Sequence, residues 1–330
     1  MLKSKLEEDI PEVSIVAICN RLDDSGTGML GFCLDTLRSM YHLATSEVCV
    51  LDAYWPAVSI LNHKKTLTVI QMWHAIGKIK QSGYQTLGKA SGRGEAVARA
   101  MQMHEHYDLI IAGGKAWNPY YCASFNTTED KLVNIGLPRI DHLLQSAEKN
   151  RTEIAKAYPE LQGKTVLLYA PTFRRNIQLE WETLLDTIDF HKYVLIVKGH
   201  PNQKLETQRE GVLTCDEFKA VDLLSICDYL ITDYSAIAVE AAVLNKKTVY
   251  YLYDYEEYTE KNGLNVNPFS SMAGCAFEDA KGVMDLIDSG AYPQETLDNY
   301  RREFLPKDLG TSTEKLAAIV KSNLIDRKEK

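Results

Sequence analysis

Short β-branched apolar runs alternate along this chain with longer stretches in which apolar residues recur every three or four positions. Val13–Cys19, Glu47–Leu51, Leu67–Gln71, Asp108–Ala112 and Lys131–Ile135 read as one set of strands. Thr165–Tyr169, Tyr193–Val197, Gly211–Thr214, Tyr229–Thr232 and Thr248–Tyr251 read as a second. Helix-length segments lie between them, among them Gly28–Tyr41, Arg93–His106, Leu179–Ile188 and Ala236–Leu244. Such alternation predicts parallel sheets with helices on both faces, and two sets predict two doubly wound α/β domains. Gly136-Leu137-Pro138 breaks the pattern after the first set, and a polar helical stretch, Ile140–Tyr158, leads to Gly163-Lys164 before the second. The boundary is therefore expected between Gly136 and Lys164, giving domains of about 1–150 and 151–330. Thr311–Ile325 carries Leu316, Ile319, Val320 and Leu324 on one helical face, so an amphipathic helix is expected there, able to pack back on the N-terminal domain.

Composition narrows the class. The 330 residues suit about two domains. A content of 45% hydrophobic and 25% charged residues excludes disorder and fibrous architectures. The net charge of -8 argues against a dedicated nucleic-acid binder. No apolar run approaches the roughly 18 residues of a membrane-spanning helix, and Met1–Pro11 lacks the apolar core of a signal peptide. The seven cysteines are spread out, with no C-x-x-C pair, which fits a reduced, cytoplasmic protein.

Ligands of doubly wound proteins sit at the carboxyl ends of strands, so polar residues just after strands are the candidates. His74 follows a strand in Gln71-Met72-Trp73-His74-Ala75-Ile76-Gly77, where an imidazole can take a proton from an attacking hydroxyl or simply cap and pack. Tyr169-Ala170-Pro171-Thr172-Phe173-Arg174-Arg175 offers hydroxyl and guanidinium groups suited to phosphate, or a solvated turn. Val197-Lys198-Gly199-His200-Pro201 places a second histidine at a strand exit. In Thr232-Asp233-Tyr234-Ser235-Ala236, Ser235 can cap a helix whose free N–H groups attract an anion, with Glu240 a turn further in, within reach of a ribose hydroxyl. Lys78, Lys80, Lys89, Arg93 and Arg99 form a basic stretch near His74, either a solvated face or an attractor of anionic headgroups or a polyphosphate. Asp23–Gly28 lacks the glycine fingerprint of a dinucleotide site and the lysine of a P-loop. His104 and His106 would point to different faces of a helix, so no metal site is expected there. The aromatic run Tyr250–Tyr258 suits packing below a domain interface better than base stacking.

Taken in order, these segments resemble the CDP-glycerol glycerophosphotransferase family, which primes and polymerises teichoic acids. The resemblance rests on Gln71-Met72-Trp73-His74-Ala75, Gly136-Leu137-Pro138-Arg139-Ile140-Asp141, Leu168–Arg174, His200-Pro201, Leu230–Ser235 and Tyr251–Tyr258. It implies a glycosyltransferase-B fold, with two Rossmann-like domains facing across a cleft. It also implies transfer of polyol phosphate from CDP-glycerol or CDP-ribitol to a lipid-linked saccharide or growing polymer, with CMP released and no cofactor or metal required. His74, His200 and Asp233 would then be catalytic. Thr172, Arg174, Ser235, Ala236 and Glu240 would hold the CDP-polyol, and Trp73, Lys78 and Lys80 would face the acceptor. The work would be done on the inner face of the cell membrane, the protein being held there peripherally. Ala75, Ala236, Glu240 and Asn262-Gly263-Leu264-Asn265 depart from the family pattern and leave the polyol open. The short chain looks closer to a primase than to the large polymerases. A nucleotide-sugar glycosyltransferase and a non-catalytic nucleotide-binding subunit are the competing readings.

Overall fold

The structure is a computed structural model that describes residues 1–19, 28–174, 181–199, 205 and 209–325. Asp23–Thr27, Arg175 and His200 lie outside the described residues. Two parallel sheets organise the chain. The first is built from β1 (Val48–Leu51), β2 (Thr68–Gln71), β3 (Leu109–Ala112) and β4 (Leu132–Asn134), side by side in chain order. The second contains β5 (Thr165–Tyr169), β6 (Tyr193–Val197), β7 (Val212–Leu213), β8 (Tyr229–Thr232), β9 (Lys247–Tyr251) and β10 (Ala276–Phe277). Its spatial order is β10-β9-β8-β5-β6-β7, and every pairing is parallel.

Central parallel strands are covered on both faces, which makes them continuous apolar runs. β2, β6 and β8 are buried at every position, and the sequence pattern located them within a residue. The expected strand Val13–Cys19 does not form: Val13 and Ile15 pack on the core while Val16 and Ile18 stay exposed. Its alternation reflects one apolar edge resting on the core without a sheet neighbour. The expected helix Arg93–His106 shortens to Glu95–Ala100, because Gln102, His104 and His106 adopt positive φ. The two-residue β10 is too short to leave a pattern.

In the second sheet the chain runs outward from β5 in both directions. The order reverses between β5 and β8, and the crevice outside the carboxyl ends at such a switch point is where α/β folds bind ligands. The two exits there are Ala170–Arg174 and Asp233–Ala236.

The halves are tied together closely. Helix Pro138–Ala157 leaves β4 through Gly136, whose φ of 77° suits glycine. The buried Asp141 carboxylate accepts from the N–H groups of Ser312 and Thr313 and from the Thr313 hydroxyl, at 3.2, 2.6 and 2.7 Å. That anchors the positive end of helix Ser312–Ile325, which packs on helices Leu2–Asp9 and Pro138–Ala157 and on β1. Residues 79–81 pair with 263–265 through Gln81 N–H to Gly263 O (3.1 Å) and Asn265 N–H to Ile79 O (2.8 Å). The Asn265 amide also donates to the Lys78 and Lys80 carbonyls, at 2.9 and 3.2 Å. Gly77 is required where it stands, since a Cβ there would run into Trp117 and into Val239 of the second half.

Candidate active site

His74 sits on the exit of β2. Its Nδ1 lies 3.2 Å from the Asp52 carbonyl oxygen. A carbonyl only accepts, so Nδ1 carries the proton and Nε2 keeps a free lone pair. The side chain keeps an exposed edge, and partial burial lowers the imidazole pKa below its ordinary 6.5, with Lys78 and Arg139 adding to the effect and Asp52 opposing it. The ring is therefore neutral at pH 7 and able to act as a base. Its backbone is pinned as well: Arg139 donates to the His74 carbonyl at 2.7 Å, and the Tyr121 hydroxyl donates to the Ala75 carbonyl at 2.9 Å.

The preceding residue is strained. Trp73 has φ 59°, a left-handed conformation that costs a bulky residue on the order of 1–3 kcal/mol. Its N–H donates to Gln71 Oε1 at 2.8 Å, and Gln71 is held in turn through its donation to the Ala53 carbonyl. The indole lies 4.4 Å from the His74 ring, tilted by 30°.

On the second sheet, Asp233 follows β8 and is buried. Its two oxygens accept the Thr172 N–H, each at 2.9 Å, and Oδ2 accepts Arg174 at 2.6 Å. The same guanidinium donates to both oxygens of Asp254, at 2.6 and 3.0 Å, and to the Thr172 carbonyl at 2.9 Å. The rings of Tyr234, Tyr253 and Tyr258 surround it. Burial disfavours this charge, but Asp233 and Asp254 outweigh burial and hold Arg174 protonated. A direct phosphate contact by Arg174 is therefore not what this arrangement provides. Its side chain is 0% exposed and bonds the β5 and β8 exits to each other. Asp233 is likewise a link between loops. The aromatic run supplies this box, with Tyr258 stacked on Tyr234 at 3.9 Å.

What those bonds leave open faces the switch point. The Thr172 hydroxyl is buried and has no hydrogen-bond partner among the described residues. Ser235 and Ala236 are half-exposed. The following helix begins at Ile237, and Ser235 Oγ accepts the Ile237 N–H only weakly, at 3.4 Å. Lys80, from the first half, is half-buried beside the Asp233–Arg174 pair: burial lowers its pKa while Asp233 pulls the other way.

Only part of the basic stretch is open. Lys78 is buried, Lys80 is half-buried and Lys89 donates to Gln81, whereas Arg93, over the Tyr54 ring, and Arg99, paired with Glu95, are exposed. Glu240, expected to meet a ribose, is buried and paired with Arg139 across the two halves at 2.6 Å. Burial raises its pKa and Arg139 opposes this. His104 meets the Tyr107 hydroxyl and His106 the Val58 carbonyl, so the two rings have separate partners. Among the described residues no three His, Cys, Asp or Glu side chains gather into a possible metal site.

The model of a family described as CDP-glycerol:poly(glycerophosphate) glycerophosphotransferase matches residues 1–322. The chain belongs to this family. It is 29% identical to the teichoic acid ribitol-phosphate primase of Bacillus spizizenii, over 97% of this chain and 86% of that protein. It is 30% identical to the teichoic acid glycerol-phosphate primase of Bacillus subtilis, over 77% of this chain and 68% of that one. A wall teichoic acid polymerase TagF variant soaked with CDPG shares the fold, with a TM-score of 0.76 at 18% identity, covering all of this chain and 85% of that one. The S. aureus MnaA–UDP structure shares it at a TM-score of 0.61 and 14% identity, over 95% of this chain and 84% of that one. The glycosyltransferase-B arrangement expected from the sequence is the fold of this glycerophosphotransferase-family chain.

Arg139, Asp141 and Asp254 carry parts of the site to which sequence reasoning gave no role. Each stands inside a family segment quoted above, so the signal was present. What was absent was any indication of partners 100 residues or more away for Arg139 and Asp141, and 80 away for Asp254.

Proposed function

We propose that this chain transfers glycerol phosphate or ribitol phosphate from a CDP-polyol to a hydroxyl of a lipid-linked saccharide or growing teichoic-acid-type polymer. The acceptor oxygen attacks the phosphorus that bears the polyol. Its proton passes to His74 Nε2, the bond from that phosphorus to the bridging oxygen breaks, and CMP leaves with the bonding electrons. The observation that carries this reading is the neutral His74 imidazole with a free Nε2, tied through Arg139 to Glu240 of the second half. Thr172, Ser235, the Ala236 N–H and Lys80 are the groups available to the donor's phosphates, and positioning with charge stabilisation supplies most of the catalysis. Family membership and the named primases support the same chemistry.

The test is CMP release from CDP-glycerol and from CDP-ribitol, each with and without a lipid-linked disaccharide. Acceptor-dependent CMP from one donor is expected and would settle the polyol. Silence with both, alongside binding of a UDP-sugar, would favour a nucleotide-sugar glycosyltransferase. Silence without any nucleotide binding would favour a non-catalytic subunit.

A lipid-linked acceptor requires approach to a membrane. No helix among the described residues is long and apolar enough to cross one. Helix Gly28–Thr45 instead presents Leu34, Leu37 and Tyr41 outward, 67%, 63% and 64% exposed, where a surface helix is ordinarily polar. Exposed Arg38 lies on the same helix, and Lys64 donates to the Thr45 carbonyl at its end, next to Lys65 and to exposed Ile60 and Leu61. An apolar stripe edged by cations suits an anionic lipid surface. Replacing Leu34 and Leu37 together with glutamate should abolish co-flotation with phosphatidylglycerol vesicles and leave CMP release to a water-soluble acceptor analogue unchanged. Full flotation of that double variant would refute this mode of attachment.

A further inference from the structure

Behind the Trp73–His74 pair lies an aromatic box with an amine inside it. Lys78 Nζ is 4.2 Å from the ring centroid of Trp73, 4.2 Å from that of Phe125 and 5.1 Å from that of Tyr121. It donates to the hydroxyls of Ser82 and Ser124, at 3.2 and 3.1 Å. Those serines also bond each other at 2.8 Å, so they have a partner without the lysine. The titratable or charged groups around the box are His104, Tyr107, Tyr121, His74 and Arg93, and none of them is a carboxylate. A buried ammonium with no counter-ion destabilises a fold, and methionine would fill the same space without that cost. Stability is therefore a poor reason for a lysine here.

The residue whose indole receives this ammonium has the left-handed φ, and that indole lies 4.4 Å from the His74 ring. We propose that Lys78 is a positioning residue for the transfer: its ammonium, held on the indole of Trp73, keeps Trp73 in its strained conformation and thereby fixes the His74 imidazole beside it. The inference rests on reading His74 as the base. It moves Lys78 from the acceptor surface, where the sequence put it, to the support beneath the base.

A pH signature follows. Burial pulls the Lys78 pKa down to about 7 and that of His104 to about 3, so His104 is neutral throughout and Lys78 loses its charge near neutrality. The hold on Trp73 is strongest below about pH 7, where Lys78 is charged. His74 needs to be neutral, which it is above its own lowered pKa. kcat should therefore rise with His74 deprotonation and fall again as Lys78 deprotonates.

The experiment uses Lys78→Met and Lys78→Arg in the full chain, with three readouts: kcat and KM for the CDP-polyol across pH, thermal unfolding, and Trp73 fluorescence taken as the difference between wild type and Trp73→Phe. Lys78→Met is expected to lose about tenfold to a hundredfold in kcat, to leave KM for the donor unchanged, to lose the alkaline limb, and to unfold no earlier than wild type. Lys78→Arg should restore part of kcat. Unchanged kcat in Lys78→Met, or a fall in Tm that accounts for the lost activity, would overturn the proposal. The fluorescence titration of the wild type requires no lysine variant to fold, and it must show a transition near neutral pH; a flat response also overturns the proposal. Should His74 prove dispensable, the base assignment fails by itself, while the fluorescence still reports whether Lys78 holds the indole.

Discussion

His74→Asn should lower kcat by a factor on the order of 10² to 10⁴, the range that a positioned general base contributes, and leave CDP-polyol affinity nearly unchanged. The asymmetry follows from where the side chain sits. His74 belongs to the β2 exit, whereas Thr172, Ser235 and Ala236 lie at the β5 and β8 exits of the other sheet. Asparagine can keep a hydrogen bond to the Asp52 carbonyl, as Nδ1–H does now, but it offers no lone pair that accepts a proton at neutral pH. The wild-type rate should also decline on acidification. The imidazole pKa is lowered, so the ring is neutral above that value, takes a proton below it and ceases to be a base. This acid limb should be absent from His74→Asn. Single-turnover CMP release together with equilibrium donor binding separates the two effects. A collapse of donor affinity with the single-turnover rate preserved would move His74 from base to binding residue.

Much of the fold was legible because central parallel strands announce themselves. Tyr193-Val194-Leu195-Ile196-Val197 is a strand under almost any pattern rule, and the residues after such strands supplied His74, Thr172, Asp233 and Ser235. What was not legible was direction and partnership. Lys78 and Lys80 look like surface charge in a glycine-rich stretch. They turn inward because residues 79–81 pair with 263–265, an association across more than 180 positions that no local pattern encodes. Arg174 reads as a phosphate ligand until Asp254 is placed beside it. Glu240 reads as a ribose ligand until Arg139 arrives from the other half. Charged residues are ambiguous in sequence for this reason: burial with a counter-ion and exposure to a ligand call for the same side chain. Local periodicity locates elements, and only tertiary structure reveals which charges are already satisfied.

Arg174→Met should destabilise the fold by about 3–5 kcal/mol, the usual consequence of removing one partner from a buried ion pair. The guanidinium serves two carboxylates at once, and both Asp233 and Asp254 are buried. Without it, two negative charges face each other in a site closed by Tyr234, Tyr253 and Tyr258. A closed site with uncompensated negative charge binds protons more readily than the unfolded chain does, so the stability of the variant falls as pH rises. Mild acidification should accordingly recover part of the loss in Arg174→Met. Arg174→Lys should lie between the two, since a single ammonium cannot present the forked set of donors that spans Asp233, Asp254 and the Thr172 carbonyl. Urea denaturation of the three proteins at neutral and mildly acidic pH checks both the order and the sign. Where the variant remains folded, donor affinity should still weaken, because the Asp233 carboxylate that fixes the Thr172 N–H has lost its counter-ion. An unfolding midpoint equal to that of wild type, combined with lost donor binding, would instead return Arg174 to the phosphate-contact role that its sequence suggests.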